Sequence, residues 1–331
     1  ACHWCHVMAE ESFADPDVAA VLNEHYVPVK VDREERPDVD AVYMEVARQV
    51  TGGGGWPLNV WLTPDEEPFF VGTYFPREAR QGRPGFPELA RDLADQWADD
   101  REAVEERAAE WSADVRGELE AVPDAPASDP PAGVLDGAVD ACLRRADSRL
   151  GGFGRSPKFP QPRQLSLLLR AHARTGDEAA LDVVTRSLDA MARGGVHDHV
   201  GGGFHRYATD RAWRVPHFEK MTYDNAELPG VYLDAARATG DESYADVARK
   251  TLAFLEAELG HPEGGFYSSL DARSPPPDDP DGAHVEGAFY AWTPEQVEAA
   301  VDDDRAATLF CDRYGVDGDG DVEAGSVLAQ S

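Results

Sequence analysis

Glycine–aromatic pairs punctuate the chain after residue 150 at intervals of roughly 50–60 residues: Gly152-Phe153, Gly203-Phe204 and Gly265-Phe266. Between them, apolar residues recur every three or four positions, the spacing of one helix face. Helices are expected near 133–149, 163–175, 178–193, 224–239, 242–259, 294–301 and 304–313. A pair of such helices cannot bury its apolar faces alone. Stacked hairpins can, either as an open solenoid or as a closed toroid, and the period does not decide between them. About three hairpins are present, fewer than closure would need. The stretch Phe289–Trp292 is expected to form an aromatic hairpin.

The region before residue 123 reads differently. Helical spacing over 7–24 is followed by an apolar run, Tyr26–Val31, that reads as a buried strand ending at Asp32. A helix over 38–50, a strand over Leu58–Leu62, a turn over 63–68 and a strand over Phe69–Phe75 come next. One long amphipathic helix is expected from Leu93 to Val122. The Pro/Ala/Asp-rich segment 123–132 reads as a linker. The chain's 331 residues are enough for two domains, 1–122 and 133–331. The fold class is multidomain, α/β followed by all-α.

With 63 Asp and Glu against 31 Lys and Arg, the net charge is −32. That field argues against nucleic acid and anionic lipid as partners. No apolar run is long enough to span a membrane. Arginine is preferred to lysine, which occurs only at Lys30, Lys158, Lys220 and Lys250. A 42% apolar content speaks against disorder, and the acidity is read as salt adaptation, since about 1 M salt shortens the Debye length to about 3 Å.

Four cysteines do not make a disulfide scaffold. Cys142 and Cys311 sit in apolar helical patterns and read as small buried hydrophobes. The sequence Cys2-His3-Trp4-Cys5-His6 is the sharpest chemical signal. Its C-x-x-C spacing at a helix start suits a thiol–disulfide couple, with Cys2 attacking and Cys5 resolving. Haem attachment uses the same letters, and zinc would need two further ligands that do not follow nearby. The order of helix, strand and Trp56-Pro57 loop favours the redox reading, with Pro57 facing the cysteines through a cis bond. Inert reduced cysteines on the same scaffold are the alternative.

At this point several long motifs resemble the spermatogenesis-associated, thioredoxin-domain protein family: residues 2–13, 27–44 and 54–76 in the first half, and 151–162, 194–228 and 264–272 in the second. The resemblance implies a thioredoxin-like domain followed by a helical toroid similar to N-acylglucosamine 2-epimerases and six-hairpin glycosidases. It also implies a fragment, since family members carry further elements before the first motif and further hairpins after residue 331. Two departures stand out: an acidic loop over 274–285, and Pro229-Gly230 interrupting an expected helix.

Residues 197–225 concentrate polar and aromatic groups among Gly-rich connections, where a ligand of a helical ring would bind. His205, His217, Glu219 and Asp224 are the candidate catalytic acids and bases. Asp198, Arg206, Tyr207, Trp213, Lys220, Tyr223, Asn225 and Asp271 are the candidate ligand contacts, with Trp213, Tyr207, Phe266 and Tyr267 offering faces for a sugar ring. The plainer reading is that these groups tie loops together, with Asp224 capping its helix. His197-Asp198-His199 is weak evidence for metal. The calcium-loop-like Asp317, Asp319 and Asp321 are rejected because Val322 and Leu328 occupy positions that need Gly and Glu. No cofactor or metal is expected. The expected function is a cytoplasmic thiol–disulfide protein whose helical domain binds a small molecule, such as a sugar, or a disulfide client. The alternatives are a carbohydrate-active epimerase or hydrolase with a structural thioredoxin-like domain, and a non-catalytic ligand-binding scaffold.

Overall fold

A computed structural model describes residues 3–80, 82–121 and 133–330. The chain divides into two compact units whose boundary falls between residues 127 and 128. The linker segment 123–132, Cys2 and Val122 lie outside the described residues.

In the first unit, α1 (His3–Met8) runs into a π turn (Ala9–Phe13). A separate helix, α2 (Pro16–His25), follows. The helical spacing over 7–24 is therefore broken. Pro16 cannot donate within a helix, and the Asp15 carboxylate accepts from the backbone N–H groups of Asp17 and Val18 to start α2 afresh. Next come α3 (Pro37–Thr51) and an antiparallel hairpin, β1 (Asn59–Leu62) with β2 (Pro68–Gly72). The expected helix from Leu93 to Val122 is two helices, α4 (Phe86–Asp99) and α5 (Arg101–Glu120). Asp100 breaks it because its backbone leaves the helical conformation (φ −143°, ψ 61°) and its carboxylate caps α5 by accepting from Ala103 N–H. The core gathers Met8, Val18, Trp61, Phe69, Phe75, Phe86, Leu93 and Val104. Trp61 meets Phe70 and Phe75 edge-on and lies tilted against Phe86. The Trp56-Pro57 bond is cis, as the sequence reading expected.

The strand expected over Tyr26–Val31 is absent. β1 and β2 pair only with each other, and Val27 and Val29 stand 90% and 78% exposed. A strand exists through bonds to a neighbouring strand, and among the described residues none reaches this segment. Tyr26 is instead fixed by its hydroxyl, which donates to the Ala90 carbonyl.

The second unit begins with α6 (Val134–Arg145) and continues as two helical hairpins: α7 (Pro162–Thr175) with α8 (Glu178–Arg193), and α9 (Thr222–Thr239) with α10 (Glu242–Phe254). Both corners read Thr-Gly-Asp-Glu and are built alike. Gly176 (φ 73°) and Gly240 (φ 76°) take the left-handed conformation that ends a helix. Asp177 and Asp241 then cap the next helix through backbone N–H groups. Thr175 and Thr239 each donate to a carbonyl four residues back, at 2.8 Å in both corners. Leu165, Leu168, Val184, Leu188, Leu228 and Tyr232 fill the space between the helices. Pro229 does not interrupt α9, contrary to the sequence reading. Burial of Leu228, Val231, Tyr232 and Ala235 outweighs the roughly 3 kcal/mol that an interior proline costs.

At the opposite end of the hairpins, Gly-rich connections form two-residue ladders: β3 (Tyr207–Ala208) with β4 (Pro216–His217), β5 (Lys220–Met221) with β6 (Ser269–Leu270), and β7 (Arg273–Ser274) with β8 (Val285–Glu286). The aromatic hairpin expected at Phe289–Trp292 is instead a turn leading into β9 (Ala291–Trp292), which pairs with β10 (Ser326–Val327). The helices α11 (Pro294–Ala300) and α12 (Asp304–Tyr314) lie between β9 and β10 in the chain. The Gly–aromatic motif has a steric basis. A Cβ on Gly203 would lie 2.4 Å from the Phe254 ring, and one on Gly152 would lie 2.4 Å from the Trp213 ring.

Candidate functional site

Two buried ion pairs hold the Gly-rich end of the second unit. Lys158 Nζ donates to Asp147 (3.0 Å) and to the carbonyls of Gly151 and Arg211, above the Trp213 ring. Lys220 Nζ donates to Asp198 (2.6 Å) and the Gly202 carbonyl, between the rings of Phe254 and Tyr290. Burial pulls the Lys220 ammonium down, and the adjacent Asp198 carboxylate opposes that shift.

These pairs correct part of the sequence reading. Trp213 is fully buried with its indole N–H on the Leu150 carbonyl, so its face is closed to a ligand. Asn225 is fully buried and holds the backbone N–H and C=O of Phe204. Lys220 and Asp198 serve each other. His205 is buried, with Nδ1 on the Phe218 carbonyl, and burial pushes its imidazole down to about 3, which makes it a weak base. His197 is also buried, with no hydrogen-bond partner at either ring nitrogen. Among the described residues no group of three or more His, Cys, Asp or Glu side chains is arranged to hold a metal ion.

The remaining candidates lie together, with His217, Glu219 and Asp224 buried, Arg206 and Tyr207 half-buried and Tyr223 exposed. Asp224, in the first turn of α9, accepts from Arg206 Nη1 at 3.0 Å on both carboxylate oxygens. It does not cap its helix, because α9 starts two residues earlier with Met221 at the cap position. Burial pushes the Asp224 carboxyl up to about 6; Arg206 pulls it down, while Glu227 and Glu219 add to the rise. The Arg206 guanidinium stacks between Phe159 and Tyr223, with centroid distances of 4.8 and 5.1 Å. Next to it, the His217 ring lies parallel to Tyr207 at 5.0 Å. His217 Nδ1 is 2.8 Å from Glu286 Oε1, and its Nε2 is 3.8 Å from Glu219 Oε2. Burial, then Glu286 and Glu219, push the Tyr207 hydroxyl up. Tyr223 is 43% exposed, and Asp271, Phe266 and Tyr267 are also exposed.

Two members, Phe159 and Glu286, were missing from the sequence-level candidates. Glu286 directly follows the acidic loop over 274–285, 69 residues from the histidine it holds. In the first unit, Cys5 is disulfide-bonded, while Cys142 and Cys311 of the second unit are free. The candidate nucleophile Cys2 lies outside the described residues. Among the described residues, no helix is long and apolar enough to cross a membrane.

Fold and site together define a protein that joins a thioredoxin-like segment to a unit of α/α helical hairpins, with an acid–base cluster at the loop end of those hairpins. Residues 1–116 match the Thioredox_DsbH family model, described as a protein of unknown function, DUF255. Spermatogenesis-associated protein 20 of Homo sapiens is 42% identical over 339 residues, 98% of this chain and 42% of that protein. The same protein of Rattus norvegicus is 41% identical over 334 residues, 97% of this chain and 42% of that one. The chain is thus related to the spermatogenesis-associated, thioredoxin-domain proteins, and it spans about 42% of the length of these curated relatives. Among solved structures, a sugar epimerase from a ruminal bacterium matches with a TM-score of 0.37 and 18% identity, over 40% of this chain and 37% of that one.

Proposed function

We propose that the helical unit binds a polyhydroxylated small molecule of the sugar class and acts on it by acid–base chemistry. One observation carries this reading: His217 is held at Nδ1 by Glu286, with its Nε2 directed toward Glu219, beneath the face of Tyr207. A carboxylate on Nδ1 keeps the proton there, which leaves the Nε2 lone pair available as a base. Asp224, raised to about 6, supplies a group that can hold a proton near neutral pH. A base and an acid beside aromatic faces suit proton transfer at a sugar carbon, as in epimerisation, or protonation of a glycosidic oxygen, as in hydrolysis. The test is a screen of sugars in D2O, following deuterium incorporation and product formation by NMR. Turnover should fall about 100-fold or more in His217→Ala and in Asp224→Asn. Unchanged turnover in both variants removes these residues from the mechanism.

A second reading concerns the first unit, and the disulfide at Cys5 supports it. Cys2 and Cys5 form a thiol–disulfide couple. The Cys2 thiolate attacks a client disulfide, and Cys5 displaces the client, which leaves as a dithiol. The free Cys142 and Cys311 thiols fit a reducing, cytoplasmic setting. A reversible two-electron titration that is lost in Cys2→Ser is the expected result, and its absence in the parent chain at any accessible potential sinks this reading.

A further inference from the structure

Trp4 lies between Cys2 and Cys5 in the chain. Its ring packs against that of Tyr74, with centroids 4.7 Å apart and planes 51° to one another. Trp4, Met8 and Glu11 are spaced by four and three residues, the spacing of one helix side, along α1 and the π turn that follows it. All three meet the same part of the first unit. The Tyr74 hydroxyl donates to Glu11 Oε1 and accepts from Arg80 Nη2. Arg80 Nη2 also lies 3.5 Å from each Glu11 oxygen. Asn59 Nδ2 donates to the Met8 sulfur at 3.4 Å and to the carbonyl of Thr73, the neighbour of Tyr74, at 2.7 Å.

Tyr74 is a firm support. It is 9% exposed and packs in the same core as Met8, and Arg83 Nη1 donates to its carbonyl at 3.4 Å. Burial and the Glu11 carboxylate both raise the Tyr74 hydroxyl, against the pull of Arg80, so it stays protonated as a donor. Trp4 stands 50% exposed at the edge of this support.

A disulfide constrains the residues it spans whatever surrounds them. Once it is reduced, the Cys2–Cys5 segment spreads unless something else restrains it. Two thiols held close together re-form their bond more readily, because closure then needs no further ordering. Ordering one backbone residue in advance is worth about a factor of ten in that equilibrium.

We infer that Tyr74 is a positioning residue for the Cys2–Cys5 couple: its ring holds Trp4, its hydroxyl holds Glu11, and the segment that carries both cysteines keeps one course in the oxidised and reduced states. The inference rests on the thiol–disulfide reading above. The exchange that measures it uses glutathione. Two glutathione thiols give up two electrons and two protons and leave as glutathione disulfide; the electrons break the Cys2–Cys5 bond, and the protons end on the two sulfurs.

The whole chain is equilibrated in glutathione buffers of graded ratio, alkylated and weighed by mass spectrometry. Cys142 and Cys311 are free, so two alkyl groups mark the disulfide form and four the dithiol. Tyr74→Leu removes ring and hydroxyl together and should lower the equilibrium constant for disulfide formation about tenfold, a potential about 30 mV less reducing. Tyr74→Phe keeps the ring on Trp4, loses only the tie to Glu11 and Arg80, and should lower the constant about threefold; it serves if the leucine variant does not fold. Glu11→Ala should match Tyr74→Phe. Tyr26→Phe removes a tyrosine hydroxyl bond elsewhere in the unit, that to the Ala90 carbonyl, and should lower stability while leaving the constant unchanged. Folded Tyr74 and Glu11 variants with the constant of the parent chain overturn the inference, as does a shift in Tyr26→Phe as large as theirs. A parent chain that never yields the disulfide form in any of the buffers overturns the thiol–disulfide reading itself.

Discussion

Replacing Asp147 by alanine tests whether the Gly-rich end of the second unit depends on a buried charge network. Asp147 is almost fully buried and accepts from Lys158, from Arg211 at both oxygens, and from the backbone N–H groups of Arg149 and Leu150. Lys158 is wholly buried; without Asp147 its ammonium keeps only two carbonyls and the Trp213 ring. Removing one partner of a buried pair costs about 3–5 kcal/mol, because the other charge is left uncompensated. With a urea m-value of about 2 kcal/mol/M, that corresponds to a midpoint lowered by about 2 M, read from the near-UV signal of the tryptophans. Arg211 and Lys158 hold the Asp147 carboxyl well below the usual carboxylate range. A depressed carboxyl stabilises the fold above its unfolded pKa of about 4, and that contribution is lost as pH falls through the lower folded value. The gap between parent and variant should therefore be constant near neutrality and narrow in strong acid. As a control, Glu105→Ala breaks the exposed pair with Arg101 and should cost about 0.5 kcal/mol or less. If Asp147→Ala costs no more than that control, the network is not what holds this end together.

The paired corners give a second expectation: Asp177→Ala and Asp241→Ala should each cost about 1 kcal/mol in urea unfolding. Asp224 gives a pH dependence of opposite sign to that of Asp147. Its folded carboxyl is raised to about 6, so its contribution is complete below about 4 and is lost as pH rises through 6. Unfolding midpoints of the parent chain should fall across that window, and Asp224→Asn should remove the component. The excess of carboxylates predicts a melting temperature that climbs as KCl rises from about 0.1 M to about 1 M, where the Debye length drops from about 10 to about 3 Å. A flat or falling melting temperature contradicts the salt-adaptation reading.

Where sequence reading succeeded and failed follows from the range of the forces involved. Helices α7 and α8 were placed to within a residue because caps, glycine stops and apolar periodicity are all local. The break at Asp100 was equally local and was missed because apolar spacing runs straight through it. Strand 26–31 failed for a different reason, since six apolar-patterned residues do not state what they pair with. The site was half legible. His217, Glu219, Arg206 and Asp224 lie within a span of 19 residues, but Phe159 and Glu286 arrive from loops that only folding brings near.

The harder distinction was between polar residues that face a ligand and those that hold the frame, because residue type is the same in both roles. One signal was available. In a chain with 27 arginines and four lysines, a lysine at a given place is itself information, and Lys158 and Lys220 both fall in Gly-rich connections. A compact ammonium donates to converging acceptors within a closed space where a planar guanidinium fork does not fit. Lys158 does so with one carboxylate and two carbonyls, and Lys220 with one carboxylate and one carbonyl between two rings. Arg206, with its fork stacked between two aromatic faces and reaching a single carboxylate, is the cation at the edge of this frame.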